Sequence, residues 1–267
     1  MKRVSRKRPR RKHGIKRIYL LPNLFTTGNI VCGVMSVMFT VQGRFGAAAN
    51  AILVGCLFDL LDGRIARLTN TGSPFGVNYD SLSDLVTFGV APGVLIFKFL
   101  YQPADRFLLP VVVIYTVCCA LRLARFNVQA STAEKKGFKG LPTPAAAALL
   151  ATMMLFLFVG EESILEPQGK ASGLLIQILA VVLAGLMVSE IPYPVLDTGV
   201  LRRRHPFHYL VILLITLGFI IASPPLTLFA GFSLYVLYGL FRHFAASLRP
   251  SGMVEEHPEP APETDTR

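Results

Sequence analysis

Residues 58–84 read FDLLDGRIARLTNTGSPFGVNYDSLSD and place four carboxylates on two apolar stretches. Asp59 and Asp62 are three residues apart, and Asp80 and Asp84 are four residues apart. At either spacing the two members of a pair lie on the same face of a helix. The connection between the stretches is short, so the two helices should run antiparallel. The sequence therefore predicts that four carboxylates converge at one end of a helical pair.

This acidic cluster needs a positive counterpart. Four carboxylates repel one another and are costly to hold in apolar surroundings. Two hard divalent cations, Mg²⁺ or Mn²⁺, would neutralise them, and such a pair can stabilise the attacking and leaving oxygens of a phosphoryl transfer. Gly63 and Gly76 leave room for a ligand, and Arg67 can bind a diphosphate through forked hydrogen bonds. Solvated helix ends would explain one or two aspartates, but not two facing pairs.

The rest of the chain has the composition of a membrane protein. Of its 267 residues, 52% are hydrophobic and 16% are charged, and the mean hydropathy is +0.53. Soluble domains carry about 25% charged residues, so this chain has too little polar surface to cover a soluble fold. Tryptophan is absent, which leaves tyrosine, lysine and arginine as interfacial anchors. We predict an all-α, polytopic membrane protein.

Hydropathy predicts about eight apolar helices, several of them near the length of about 20 residues that crosses a bilayer. Their predicted bounds are 22–42, 46–67, 75–100, 107–128, 143–160, 172–189, 207–223 and 225–246. The connections 64–74, 129–142 and 190–206 are basic, whereas the alternating ones are short or acidic. By the positive-inside rule, both termini and the acidic cluster face the cytoplasm.

Two terminal segments flank the predicted membrane domain, which spans residues 18–248. Residues 1–17 contain ten Lys or Arg and no acidic residue, so they supply nearly all of the net charge of +11. Such an arm can bind nucleic acid, but it shows no recognition motif and leads directly into an apolar helix. We therefore predict that the arm binds anionic lipid headgroups and does not bind nucleic acid. Residues 249–267 are predicted to form a disordered cytoplasmic tail, because residues 251–267 are rich in Pro, Glu and Thr.

Small residues are dense in 45–56 and 144–151. Such stretches let helices approach closely within a bilayer. Plain helix packing accounts for them, and a lipid entry groove is the alternative.

The acidic segment also resembles a known family. Residues 59–84 match the signature D-x2-D-G-x2-A-R-x8-G-x3-D-x3-D at every fixed position, and the chain thereby resembles the CDP-alcohol phosphotransferase family. The resemblance implies that Asp59, Asp62 and Asp80 hold the two divalent cations, and that Asp84 is both a metal ligand and the catalytic general base. The residues that it implies for the CDP site are Asp62, Gly63, Ala66, Arg67 and Gly76.

Three further stretches resemble the phosphatidylserine synthase branch of that family: LPNLFTTGN at 21–29, LRLARFN at 121–127 and FKGLPTP at 138–144. The resemblance implies transfer of the phosphatidyl group of CDP-diacylglycerol to the hydroxyl of serine, with release of CMP. Arg122 and Arg125 are three residues apart at a cytoplasmic helix end, so they can face one pocket and bind the serine carboxylate. Positive-inside anchoring is the alternative for this pair.

Several alternatives stay open from the sequence. Asn23, at the start of the first predicted helix, either caps that helix or contacts the nucleotide. The acceptor can instead be glycerol 3-phosphate, an inositol phosphate or choline, since two arginines suit a phosphate as well as a carboxylate. An ion-coupled transporter is the alternative of another class, but its carboxylates would be spread through the membrane depth.

The family resemblance also bears on the setting of the protein. It implies an enzyme embedded among membrane lipids in a bacterial inner membrane, with its active site facing the cytoplasm. It further implies a homodimer.

Overall fold

A computed structural model describes residues 20–69, 73–102, 105–131, 140–158, 170–193 and 206–247. Within these ranges all regular structure is helical, so the all-α prediction is confirmed. The α-helices are α1 (Leu20–Val41), α2 (Phe45–Thr69), α3 (Pro74–Asp84), α4 (Ala91–Leu100), α5 (Leu108–Ser131), α6 (Thr143–Phe158), α7 (Lys170–Val188), α8 (Pro206–Ala222) and α9 (Pro224–Ser247). The predicted arm 1–17 and tail 249–267 lie outside the described residues.

The described helices are those of a multi-pass membrane protein. Five stretches are long and apolar enough to cross a bilayer: α1, α2, the continuous helix from α3 to α4, α5 and α9. Helices α6 and α7 are shorter but also apolar. Each of the eight predicted helices coincides with an observed one, with bounds that agree within three residues. The number that crosses the membrane and the side on which the termini lie stay predictions.

The third predicted helix, 75–100, is continuous but not uniform. Between α3 and α4 the chain makes a π-helical turn over Leu85–Val90. The wider turn rearranges the backbone hydrogen bonds, and the hydroxyl of Tyr115 on α5 donates to the carbonyl of Phe88 at 3.1 Å. Turns of this kind are rare overall, and many of those that occur lie at functional sites. This one follows Asp84 directly, and hydropathy alone gave no sign of it.

Thr87 packs the π-helical turn against α1 and α2. Its hydroxyl donates to the carbonyl of Asn29 at 2.9 Å. A Cβ on Gly33 would lie 2.5 Å from Thr87 Oγ1, and a Cβ on Gly55 would lie 2.5 Å from Thr87 Cγ2. Only glycine allows this approach. The helices α1 and α2 therefore meet the π-helical turn at Thr87, three residues after Asp84.

Helix α6 fills the centre of the described bundle with small side chains. Its alanines at 145–148 and 151 are buried, as are Ala48 and Ala49 on α2. The helix packs against α2 and α9. Because small side chains let helix backbones approach closely in a bilayer, packing accounts for both alanine-rich stretches. The lipid entry groove stays a prediction.

Candidate active site

Residues just before α3 determine where this helix starts, and thereby where its two aspartates lie. Ser73 is the N-cap residue, and its Oγ accepts the backbone N–H of Gly76 at 3.0 Å. Pro74 follows at the first helical position, where its missing N–H leaves no intrahelical bond unmade. Asp80 and Asp84 therefore fall one turn apart on a helix with a fixed start.

Asp59 and Asp62 on α2 meet Asp80 on α3 to form an acidic triad. One carboxylate oxygen from each residue lies within 4.8 Å of those of the other two. Asp62 is buried, and Oδ1 of Asp80 is a buried oxygen that receives no hydrogen bond from any described group. Three converging carboxylates with an unpaired buried oxygen fit a hard divalent cation, which prefers oxygen ligands. The structure thus brings three of the four predicted carboxylates into one cluster.

Asp84 lies beside the triad in a more enclosed position. Its side chain is 7% exposed and is close enough to Asp59 for the two carboxyl groups to interact. Asn29 on α1 donates its side-chain amide to Asp84 Oδ1 at 2.9 Å. This hydrogen bond fixes the orientation of the carboxyl group. The two roles predicted for Asp84, metal ligand and general base, stay predictions.

Helix α1 supplies the residues that sequence reasoning missed. Thr26 donates its hydroxyl to Asp62 Oδ2 at 3.0 Å, and Asn29 holds Asp84. The carbonyl of Thr26 in turn accepts the hydroxyl of Ser83 at 3.0 Å. Thr26 and Asn29 are three residues apart, so they share the face of α1 that meets α2 and α3. Two polar residues at this spacing in an apolar helix were the available signal.

The predicted nucleotide-binding residue Asn23 also lies on α1. Leu20, the first described residue, is already helical, so Asn23 lies inside the helix and the helix-cap alternative is wrong. A Cβ on Gly76 would lie 3.5 Å from Asn23 Oδ1, which shows that α1 and α3 approach closely here. The structure therefore places these two predicted CDP-binding residues next to each other.

The other predicted CDP-binding residues lie at the end of α2. Arg67 is exposed, and its Nε donates to the carbonyl of Gly63 at 2.9 Å. A Cβ on Gly63 would meet nothing within 4 Å, so the surface beside it is open. Ala66 is half-buried on the same helix. Their contact with a nucleotide stays a prediction.

The two arginines predicted to bind the acceptor have different surroundings. Arg122 is half-buried on α5, donates from Nη1 to Thr143 Oγ1 at 3.4 Å, and lies within electrostatic range of Asp84. Arg125 forms an ion pair with Glu190 at 3.3 Å and also donates to the carbonyl of Val188. The structure thus places Arg122 near the carboxylates and gives Arg125 partners within the chain. The assignment of both to the acceptor stays a prediction.

Comparison with known proteins identifies the family that the acidic segment resembles. A sequence model of the family described as CDP-alcohol phosphatidyltransferase matches residues 19–189. The chain is 36% identical over 228 residues to the CDP-diacylglycerol–serine O-phosphatidyltransferase of Helicobacter pylori strain 26695, a match that covers 85% of this chain and 92% of that protein. It is 35% identical over 181 residues to the archaetidylserine synthase of Methanothermobacter thermautotrophicus, covering 66% and 70%.

A more distant match extends over nearly the whole chain. The CDP-diacylglycerol–serine O-phosphatidyltransferase of Mycobacterium tuberculosis is 26% identical over 260 residues, covering 94% of this chain and 86% of that protein. The segment matched by the family model contains the acidic triad, Asp84 and both arginines. The resemblance read from residues 59–84 is therefore confirmed, and the chain belongs to the CDP-alcohol phosphatidyltransferase family of membrane transferases.

Proposed function

We propose that this protein transfers the phosphatidyl group of CDP-diacylglycerol to the hydroxyl of L-serine, giving phosphatidylserine and CMP. The observation that carries the proposal is the acidic triad with Asp84 beside it, in a chain whose relatives are named for transfer to serine. The donor is a lipid-linked diphosphate, so a cluster of carboxylates at the end of two apolar helices suits it. The acceptor is small and polar and can enter from water.

The triad and Asp84 together form the proposed metal centre. Asp59, Asp62, Asp80 and Asp84 would hold two divalent cations, Mg²⁺ or Mn²⁺, which would supply positive charge for the diphosphate oxygens. The unpaired buried oxygen of Asp80 supports this assignment, because a buried acceptor without a donor is unfavourable unless a ligand reaches it. Thr26 holds Asp62 through the oxygen Oδ2 and so limits its rotation.

The open face beside the triad is the proposed CDP site. Gly63, Ala66 and Arg67 line it from α2, with Asp62 at its inner end. Asn23 and Gly76 line it where α1 and α3 approach each other. The guanidinium of Arg67 is suited to the diphosphate because it can donate two parallel hydrogen bonds.

Asp84 is the proposed general base. Asn29 fixes its Oδ1, which leaves Oδ2 to accept the proton of the serine hydroxyl. As that proton leaves, the serine oxygen attacks the phosphorus that carries the diacylglycerol. The new phosphorus–oxygen bond forms while the bond to the CMP oxygen breaks, and CMP leaves with the electron pair. The positions of the groups and the neutralisation of charge do most of the catalysis.

Arg122 is the proposed partner of the serine carboxylate. It lies near the proposed base, within electrostatic range of Asp84 and Asp59. A guanidinium and a carboxylate form charge-assisted hydrogen bonds, which are about twice as strong as neutral ones. The same group would bind the phosphate of glycerol 3-phosphate, so Arg122 also carries the second candidate function, transfer to a phosphate-bearing acceptor.

The membrane setting follows from the charge pattern. We propose eight transmembrane helices within residues 18–248, with both termini and the active site on the cytoplasmic side of the inner membrane. The basic arm 1–17 then lies against anionic lipid, and the tail 249–267 extends into water. A homodimer stays a prediction from the family resemblance.

The proposal is tested with purified protein, radiolabelled CDP-diacylglycerol and a panel of acceptors: serine, glycerol 3-phosphate, inositol phosphate and choline. We expect CMP to be released in equal amount with a new lipid, and only serine to support rapid turnover. Preference for another acceptor would overturn the serine assignment but not the reaction class. Absence of CMP release with every acceptor and cation would overturn the enzyme assignment.

A further inference from the structure

The segment that follows α7 carries a buried tyrosine, Tyr193, that has no part in the reaction described so far. Backbone hydrogen bonds tie this segment and the last turn of α7 to the residues just before α6. The carbonyl of Ile191 accepts the N–H of Gly140 at 2.9 Å, and the carbonyl of Leu186 accepts the N–H of Leu141 at 3.0 Å. Gly140 has a φ of +87°, and a Cβ there would collide with the end of α7. These contacts fix the segment after α7 against the residues that precede Thr143. Thr143 is the residue that Arg122 contacts.

The ring of Tyr193 is held on two sides. Its centroid lies 5.8 Å from that of Tyr235 on α9. It also lies so close to Gly239 of the same helix that any Cβ at that position would overlap the ring. Tyr193 is 5% exposed, and its hydroxyl is buried with no hydrogen-bond partner among the described residues. A tyrosine seated this firmly with an unpaired hydroxyl is suited to receive a ligand.

The hydroxyl of Tyr193 is available as a donor. Burial and, to a smaller extent, the neighbouring Tyr235 raise the pKa of Tyr193 to about 12. The phenol therefore keeps its proton at neutral pH. A group that accepts a hydrogen bond, such as a carboxylate, is the partner that it fits.

A second buried donor without an acceptor belongs to Arg122. Its Nε is buried and unpaired within the described residues, while Nη1 donates to Thr143. Tyr235 lies near both residues, within electrostatic range of Arg122 and in ring contact with Tyr193. Buried donors are nearly always paired in proteins. One carboxylate can accept from a guanidinium and a phenol together, because each of its oxygens accepts two hydrogen bonds.

We propose that Tyr193 is a specificity-determining residue whose hydroxyl, together with the guanidinium of Arg122, binds the carboxylate of the serine acceptor. This inference rests on the proposed function and adds to it the way in which an amino acid is selected over an alcohol that lacks a carboxylate. Tyr235 and Gly239 position the ring. The ion pair of Arg125 with Glu190 and its bond to the carbonyl of Val188 hold the segment in place.

The test compares serine with serinol, in which a hydroxymethyl group replaces the carboxylate. In Tyr193→Phe we expect the KM for serine to rise about 10- to 100-fold, which is the range for a hydrogen bond to a charged group. Turnover at saturating serine and the low rate with serinol should change by less than about twofold, because neither depends on the lost bond in the carboxylate site. Tyr238→Phe is the matched control, since Tyr238 is 56% exposed on α9, and it should leave both acceptors unaffected.

A second pair of variants tests the seat of the ring. Gly239→Ala should shift Tyr193 and produce the same selective loss with serine, whereas Gly231→Ala, where a Cβ meets nothing within 4 Å, should not. Binding is read directly as the rise in melting temperature that serine causes in an Asp84→Asn background, which prevents turnover. That rise should be lost when Tyr193→Phe is added.

The outcomes separate this inference from the function on which it rests. If folded Tyr193→Phe keeps the wild-type KM for serine, or loses serine and serinol equally, Tyr193 does not bind the carboxylate and the proposed function stands. If wild-type protein releases CMP with another acceptor and not with serine, the proposed function fails and this inference fails with it.

Discussion

Asn29 donates its side-chain amide to Asp84 Oδ1 over 2.9 Å, from the middle of α1 to the end of α3. The carbonyl of the same residue accepts the hydroxyl of Thr87 at 2.9 Å. One residue of α1 thus fixes both the proposed base and the π-helical turn that follows it. Because Asp84 is buried, this bond is made in surroundings of low dielectric, where hydrogen bonds to charged groups are strong.

Asn29→Ala should lower kcat about 10- to 100-fold, because a hydrogen bond to a charged group contributes roughly 1.5–3 kcal/mol and its loss frees the carboxyl group to rotate. The KM for serine should change little. Steady-state CMP release measures both constants. Asn50→Ala, at an exposed position on α2, is the control and should behave as wild type. A folded Asn29→Ala protein with wild-type kcat would show that Asp84 needs no such support.

Asp84→Asn should leave a folded protein that turns over at least about 100-fold more slowly, since general base catalysis contributes roughly 10²–10⁴-fold. The amide keeps the size of the side chain but cannot take the proton of the acceptor. CMP release at saturating serine is the measurement, with the melting temperature as the check on folding. Near-normal turnover would refute the role of Asp84 as the base.

Removal of divalent cations should abolish CMP release, and Mg²⁺ or Mn²⁺ should restore it. Asp80→Asn should raise the cation concentration needed for half-maximal activity, because it removes one carboxylate of the triad. Cations should also raise the melting temperature of wild-type protein, since a ligand that binds the folded state stabilises it, and this rise should shrink in Asp80→Asn.

The control for the cation experiment is Asp105→Asn. Asp105 lies outside the triad, where its carboxylate accepts the N–H groups of Phe107 and Leu108 at the start of α5 and the side-chain amide of Gln177. Its loss should lower the melting temperature without changing the response to cations. An equal response in wild type and Asp80→Asn would remove Asp80 from the proposed metal site.

The triad was predictable because it depends on local rules. Helical periodicity places Asp59 with Asp62, and a short connection brings the chain back so that Asp80 reaches them. The contribution of α1 was not predictable in this way. Whether Thr26 and Asn29 face the aspartates depends on how α1 is rotated against α2 and the π-helical turn. Close contacts such as that of Gly33 with Thr87 fix this rotation.

Tyr193 illustrates a second limit of sequence reasoning. In the sequence, Ile191-Pro192-Tyr193-Pro194 is typical of an interfacial turn between helices. Its buried position results from contacts with Tyr235 and Gly239, on a helix far along the chain. No local pattern links the two segments, so only the packed structure shows them together.

Gly55→Ala should destabilise the protein by about 1–3 kcal/mol, the usual cost of overfilling a packed core. The new Cβ would lie 2.5 Å from Thr87 Cγ2, so Thr87 must shift from its place between α1 and α2. Thermal unfolding in detergent measures the change. Gly185→Ala is the control: a Cβ there meets nothing within 4 Å, and alanine is favoured over glycine in a helix by about 1 kcal/mol. If both variants melt alike, the contact between α2 and Thr87 is not a tight one.

Arg122→Lys should raise the KM for serine at least about 10-fold, because lysine keeps the charge but loses the planar fork that binds a carboxylate through two hydrogen bonds. The KM for CDP-diacylglycerol should change little, since Arg122 contacts Thr143 and not the predicted CDP-binding residues. Initial rates across a range of serine concentrations, repeated with glycerol 3-phosphate, measure the effect and its selectivity.

Two further arginines complete the Arg122 experiment. Arg106→Lys, at an exposed position before α5, should match wild type. Arg125→Lys tests the other predicted acceptor residue. A shift in the KM for serine without loss of stability would place Arg125 in the acceptor site as well. Loss of stability alone would show that Arg125 serves to hold Glu190 and the end of α7. An unchanged KM for serine in folded Arg122→Lys would contradict the acceptor assignment, because that assignment requires the planar guanidinium to hold the carboxylate through two hydrogen bonds.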